Sequence, residues 1–224
     1  MTRGAPQENS RAGPAHGVRQ SLIIMGTDGA GKTTLAKALV EDLRRNGFSA
    51  QFAANVSGRR WLTQRARSWG ISFPTFTQDF IEMAIRTVNV ALNTRRANTL
   101  DGLTVMDRHL YCQLVLRSVR GQPLGLLLPW LAHRAIGSSL VVVLDVDPQT
   151  AFDRISSRED DFETLEYLQA SRKEYLRLAA ANGWVVLDGS RPPHQLLADL
   201  RSLTGYPVSR PILTAREAAG TNQR

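Results

Sequence analysis

Residues 21–34 read Ser21-Leu-Ile-Ile-Met-Gly-Thr-Asp-Gly-Ala-Gly-Lys-Thr-Thr34, an apolar run followed at once by the pattern G-x-x-x-x-G-K-[ST]. Gly26, Gly31, Lys32 and Thr33 meet that pattern. Leu22 to Met25 read as a buried strand. Leu35, Ala36, Ala38, Leu39 and Leu43 continue as a helix with one apolar face, and Asn46-Gly47 stops it. A strand–loop–helix of this kind holds a polyphosphate: glycines let successive N–H groups turn inward, and the helix N-terminus adds partial positive charge. The loop residues Gly26, Thr27, Asp28, Gly29, Ala30, Gly31, Lys32, Thr33 and Thr34 would line the phosphates, with Lys32 reaching the β/γ-phosphates and the Thr33 hydroxyl ligating Mg²⁺. A glycine-rich turn that binds nothing does not account for the Lys-Thr pair.

The chain of 224 residues, 42% hydrophobic, has room for one sizeable α/β domain. Its expected limits are residues 21–205, between a disordered leader (1–20) that lacks the apolar stretch of a secretory signal and a loose tail (206–224). The longest apolar run, Leu140 to Leu144, is strand-length, far below the ~20 residues of a membrane span. A single cysteine, Cys112, excludes an intrachain disulfide framework and fits a reducing cytoplasm. The formal charge of +8 can mean nucleic acid or a site for anionic small molecules. The basic residues are scattered without interleaved aromatics, and part of the excess lies in the termini, which argues against nucleic acid and for a phosphate-rich pocket.

Beyond the first helix, Phe48 to Ala54 reads as a second strand and residues 59–69 as helical. A long helix follows Pro74, with Phe76, Phe80, Ala84, Val88 and Leu92 on one face and Asp79, Glu82, Arg86, Asn89 and Asn93 opposite. On pattern alone the polar stripe faces solvent. Leu103–Met106 is the third strand, helical stretches at 110–119 and 124–136 lead to a strand at Leu140–Leu144, and Asp147-Pro148 opens the next helix. A charged interval from Arg154 to Glu163, a helix to Ala181, a strand at Trp184–Leu187 and a helix from Pro193 complete the chain. The alternation predicts a doubly wound, five-stranded parallel sheet, with ligands at the carboxyl ends of its strands.

A phosphate-binding loop needs a partner acid at a nearby strand end to hold Mg²⁺. Asp145 follows the more apolar strand and wins on that rule; Asp107 follows a weaker strand but is joined to Arg108, a partner for an anionic group in transfer. Spacing leaves the choice open.

Four segments resemble the thymidylate kinase family of nucleoside monophosphate kinases: Gly26 to Thr34; Gly102-Leu-Thr-Val-Met-Asp-Arg-His109; Leu144-Asp-Val-Asp-Pro148 with Arg154 and Arg158; and Phe162-Glu163 with Tyr167, Arg172 and Tyr175. The resemblance spans Leu22 to about Leu203. It implies an ATP-dependent kinase with ATP and Mg²⁺ as cofactors, Asp107 beside the metal, and Arg108 gripping the acceptor phosphate. Asp145 then becomes structural or donor-side. Residues of about 154–163 become a lid whose Arg154 and Arg158 neutralise the moving phosphoryl group, because the loop carries no Arg between Gly26 and Lys32. Asp28 and Arg86 become acceptor-side residues, and the resemblance also implies a homodimer through helices.

Departures from the family pattern fall on the acceptor side. The family's Arg-Glu-Pro-Gly after the second strand, which helps hold the acceptor monophosphate, is Asn55-Val56-Ser57-Gly58 here, with Arg59 or Arg60 as substitutes within reach of the chain. Ile85 stands where an Asp usually precedes the helix arginine. Cys112-Gln113 and Val115-Leu116-Arg117 replace small hydroxyl residues and Ala-Tyr-Gln. A nucleoside monophosphate remains the expected acceptor, thymidine monophosphate by default. Kinase activity on a nucleoside, sugar or other metabolite is the alternative. A nucleotide-binding regulatory or nucleic-acid-associated module is the third reading.

Overall fold

Leu22, Ile23, Ile24 and Met25 are all fully buried, which only a central strand covered on both faces achieves. In the computed structural model, which describes residues 20–55, 75–157 and 163–207, they belong to β1 (Ser21–Gly26). The order of elements is β1, α1 (Lys32–Arg45), β2 (Ala50–Ala54), α2 (Thr75–Thr99), β3 (Leu103–Asp107), α3 (Tyr111–Val119), α4 (Leu127–Ile136), β4 (Leu140–Asp145), α5 (Pro148–Ser156), α6 (Leu165–Asn182), β5 (Val185–Asp188) and α7 (Pro193–Thr204). The sheet is five-stranded and parallel in the order β2-β3-β1-β4-β5, as the alternation of elements predicts. Alternate residues of β1 feed two cores. Leu22 and Ile24 pack with Leu35, Leu39 and Leu43 of α1 and Leu196 and Leu200 of α7. Ile23 and Met25 pack with Leu114 and Val115 of α3, Leu128 of α4 and Tyr175 and Ala179 of α6.

Most boundaries agree with expectation within two residues. The second strand begins at Ala50, because Gly47 takes a left-handed turn and Phe48 is needed against Tyr206. The fifth runs Val185–Asp188, and Arg154 lies in the last turn of α5, so a lid beginning at 154 would overlap that helix. The expected helix at 59–69, Arg59, Arg60, Arg158 and Phe162 lie outside the described residues.

α2 forms over the expected span, but from Arg86 to Asn93 its faces are reversed relative to the pattern. Val88 is 57% exposed and Leu92 48%, whereas Arg86 is only 5% and Asn93 7% exposed. Val90 and Ala97 supply the buried apolar contacts, and of the polar stripe Arg86 and Asn93 face inward. Periodicity identifies the helix; it does not say which face the sheet takes.

The packed chain also runs past residue 205, where the loose tail was expected. Tyr206 is buried, its ring lies edge-on to Phe48 at 5.3 Å, and its N–H donates to the Arg201 carbonyl at 3.0 Å. Arg201 in turn donates to Asp42 of α1 (2.7 Å) and to the Pro207 carbonyl. Tyr206→Ala is expected to lower the unfolding free energy by about 3 kcal/mol, read by denaturant titration. A change within about 0.5 kcal/mol would place the residue in a surface tail instead.

Candidate active site

The loop between β1 and α1 is shaped by two of its glycines. At Gly29 (φ 79°) a Cβ would come within 2.4 Å of the Ala151 carbonyl, so the loop lies directly against the backbone of α5. Gly31 (φ 88°) is left-handed with open space where a Cβ would project, and it leads into the first turn of α1. Lys32 is buried, and its Nζ donates to the Thr27 carbonyl at 2.6 Å and to Asp28 Oδ1 at 3.5 Å. Burial pushes its pKa down from the ordinary lysine value, a tendency that Asp28 opposes.

Two strand ends competed for the acid. The parallel register sets Ile24 beside Asp107, so β3 delivers Asp107 to the foot of the loop. There Thr33 Oγ1 donates to Asp107 Oδ2 at 2.5 Å, while Asp107 Oδ1 is buried without a hydrogen-bond partner among the described residues. Asp145 is committed elsewhere: Arg172 of α6 grips it with two hydrogen bonds of 2.6 and 2.8 Å. Strand hydrophobicity points to Asp145, but the strand end that meets Thr33 is that of Asp107. Apolar content reports burial, and the partner of Thr33 is set by strand order.

Arg108 follows at φ 72°, a left-handed conformation that costs a non-glycine residue about 1–2 kcal/mol. Its guanidinium donates to Asp28 Oδ1 at 2.5 Å. Burial alone would raise the Asp28 pKa, but Lys32 and Arg108 overcome that and hold it at about 2. Asp28 thus stays ionised between two cations. Tyr175 of α6 borders Arg108 and Cys112, and burial keeps its hydroxyl protonated far above the usual tyrosine range.

Around this centre stand donors without acceptors. Arg86 Nε, Gln113 Nε2 and Arg117 Nε are buried and unpartnered among the described residues. Arg117 Nη1 approaches the Met83 sulfur at 3.9 Å, which ties α3 to the inward face of α2. Arg86 lies close enough to His109 to disfavour its protonation. On the donor side Arg154 reaches the Gly29 carbonyl at 3.4 Å, so one of the two expected lid arginines already touches the loop.

Sequence reading missed Asn55 and Asn93. Asn93 was visible only as one member of a polar stripe, and Asn55 only as the loss of an arginine. Asn55 Nδ2 donates to the Arg108 carbonyl (2.7 Å), and Asn93 Nδ2 donates to Asn55 Oδ1 (2.9 Å).

The thymidylate kinase family model matches residues 24–200. The chain belongs to the thymidylate kinase family. Among curated relatives it is similar to a probable thymidylate kinase of Archaeoglobus fulgidus, 27% identical over 81% of this chain and 93% of the relative. It is also similar to a probable thymidylate kinase of Sulfurisphaera tokodaii, 29% identical over 75% and 86%, and to a thymidylate kinase of Xanthomonas campestris pv. campestris, 28% identical over 79% and 78%. This family member is an ATP-dependent kinase of the phosphate-loop α/β class, acting on a nucleotide. Among the described residues no helix is long and apolar enough to cross a membrane.

The buried imidazole of His109 makes the site sensitive to acid. Burial pushes its pKa from 6.5 down to about 4. Between those values the unfolded chain takes up a proton that the native chain refuses. The stability contributed by the neutral ring is therefore complete above pH 6.5 and is lost as the pH falls towards 4. Urea midpoints measured across that window are expected to fall in the wild type and to fall less steeply in His109→Phe. Parallel curves would show that His109 protonates freely in the native state.

Proposed function

We propose that this enzyme transfers the γ-phosphoryl group of ATP to thymidine monophosphate, yielding thymidine diphosphate and ADP. The observation that carries the reading is the Thr33–Asp107 hydrogen bond, which couples the phosphate loop to the Asp107-Arg108 strand end. An oxygen of the acceptor phosphate attacks the γ-phosphorus as the bond to the ADP oxygen breaks, so the protein's task is placement and charge neutralisation. Lys32 and the loop N–H groups from Gly26 to Thr34 hold the donor phosphates. Arg108 takes the acceptor phosphate, and Asp28, ionised beside it, is left to accept a hydrogen bond from the acceptor's sugar. Arg86 supplies a donor to the acceptor base, a role in which the unpartnered Gln113 and Arg117 can share. Arg154, joined by Arg158, closes over the transferring group and helps to exclude water.

Thr33 and Asp107 are an oxygen donor pair suited to Mg²⁺, and the unpartnered Oδ1 of Asp107 leaves one carboxylate oxygen free for a metal-bound water. The ion would screen the charge of the β- and γ-phosphates. A cytoplasmic location agrees with the single free cysteine, which is buried.

We also propose a homodimer through the outward face of α2 and the neighbouring α4. Support comes from the rolled-out apolar stripe: Val88, Leu92, Leu126, Leu127 and Trp130 are exposed. Leu92, Ala91, Leu131 and Ala135 line a cleft of about 300 Å³ between the two helices.

ADP release across deoxynucleoside monophosphates, nucleosides and sugar phosphates is expected to be greatest with thymidine monophosphate. Activity on a neutral alcohol alone would overturn the acceptor assignment. Lys32→Ala and Asp107→Asn are each expected to lower kcat by about a hundredfold or more; near-normal turnover in a folded Lys32→Ala protein would refute the donor site. Sedimentation velocity is expected to show a dimer that Leu92→Glu with Trp130→Glu converts to monomer. A wild-type monomer at micromolar concentration would remove the interface.

A further inference from the structure

We propose that Asn55 and Asn93 are positioning residues for Arg108: a buried two-amide clamp that fixes the left-handed backbone from which the guanidinium reaches the acceptor side. The inference rests on the assignment of Arg108 to the acceptor phosphate. Both ends of the arginine's backbone are tied. Its N–H donates to Ile24 of β1 at 3.1 Å, and its carbonyl accepts from Asn55 Nδ2 at 2.7 Å. Asn55 is itself anchored, because its N–H donates to the Asp107 carbonyl at 3.0 Å and so extends the β2–β3 pairing by one residue.

The amide orientations are fixed by this network. An Oδ1 facing the Arg108 carbonyl would set two acceptors against each other, so Nδ2 must face it and Oδ1 must receive a donor. Asn93 Nδ2 is that donor, at 2.9 Å. Asn55 is 1% exposed, so water does not replace either partner cheaply. Arg86 and Asn93 lie two turns apart on the inward face of α2, so one helix face contributes both a buried arginine beside His109 and the outer link of the clamp.

With φ at 72° the chain turns sharply after β3: the His109 ring enters the core with no exposure while the Arg108 side chain points to Asp28. Release of the carbonyl would let the arginine relax towards the right-handed region and swing its guanidinium away. At the position where the family resemblance implies an arginine gripping the acceptor, this chain has a neutral residue whose side-chain hydrogen bonds are internal. Position 55 contributes orientation of another arginine in place of a charge of its own.

The test is steady-state kinetics with thymidine monophosphate and ATP varied separately, on full-length wild type, Asn55→Ala, the isosteric Asn55→Asp and Asn93→Leu, which refills its space. Expected is a rise of about tenfold or more in the acceptor KM for both Asn55 variants, with a smaller rise for Asn93→Leu and an ATP KM within about twofold of wild type. Melting temperatures and ATP-analogue binding establish that each variant is folded. A structural role alone would lower the melting temperature without separating the two KM values. An unchanged acceptor KM in any folded Asn55 variant, or equal rises in both KM values, would overturn the proposal. Wild type failing to phosphorylate thymidine monophosphate would instead overturn the acceptor reading. In that event the clamp is judged by NMR: protected Asn55 side-chain amide protons that become labile in Asn93→Leu support it, and unprotected ones in wild type refute it.

Discussion

The parallel pairing of β1 with β3 is the constraint from which the site follows. Placing Ile24 beside Asp107 ends two strands at one level, one in the phosphate loop and the other in Asp107-Arg108-His109. Thr33 and Asp107 then meet without distortion of either element, and the Arg108 N–H continues the ladder to Ile24. Asn55 reaches this edge from the end of β2, and further contributions come from flanking helices: Arg86 and Asn93 from α2, Tyr175 from α6, and Arg154 from α5. Both faces of β1 and β3 are covered, so the edge is held by two apolar cores and has little freedom to shear.

Charge is then distributed across that edge in alternation. Lys32 and Arg108 flank Asp28, and the two cations keep the carboxylate ionised despite burial. Without its neighbours partial burial would raise the Asp28 pKa, and without Asp28 the two cations would face each other without an intervening negative charge. In the proposed reaction, phosphates arriving on the Lys32 side and on the Arg108 side would each meet a cation already in place. Among the described residues, donors at Arg86, Gln113 and Arg117 also lack partners, which leaves hydrogen-bonding capacity that a ligand rich in acceptors would satisfy.

Legibility in the sequence followed the locality of each interaction. The loop from Gly26 to Thr34 could be read directly, because glycine positions, lysine and hydroxyl act within one turn of chain. The strands could be read for the same reason, as runs such as Val141 to Leu144 have no other reading. The choice between Asp107 and Asp145 could not, since it depends on which strand lies beside β1. The family resemblance pointed to Asp107; local hydrophobicity pointed to Asp145, which the bidentate grip of Arg172 commits to a different contact. Periodicity alone misread α2 for a related reason, and the resemblance, by placing Arg86 on the acceptor side, corrected it. The apolar stripe is the more regular, yet Arg86 and Asn93 are buried, because the inward side of that helix borders buried polar groups as well as core. Tyr206 was lost to the tail because a single aromatic carries no periodicity.

Asn55 shows how a substitution that reads as loss can be a change of means. An arginine at a strand end acts on a ligand through its own charge and needs room and solvent to move. A buried asparagine acts through geometry, since its amide nitrogen and oxygen must each meet a partner of opposite kind, here the Arg108 carbonyl and the Asn93 amide. The amide pair thereby fixes the backbone of a residue whose own torsion is unfavourable, and the unfavourable torsion is what separates the paths of Arg108 and His109. Two neutral residues on different elements must be present together for this to work: Asn55 without Asn93 would bury an unsatisfied oxygen, and Asn93 without Asn55 an unsatisfied amide. That mutual dependence makes β2 and α2, which contribute no strand or helix end to the phosphate loop itself, part of the machinery that aims Arg108.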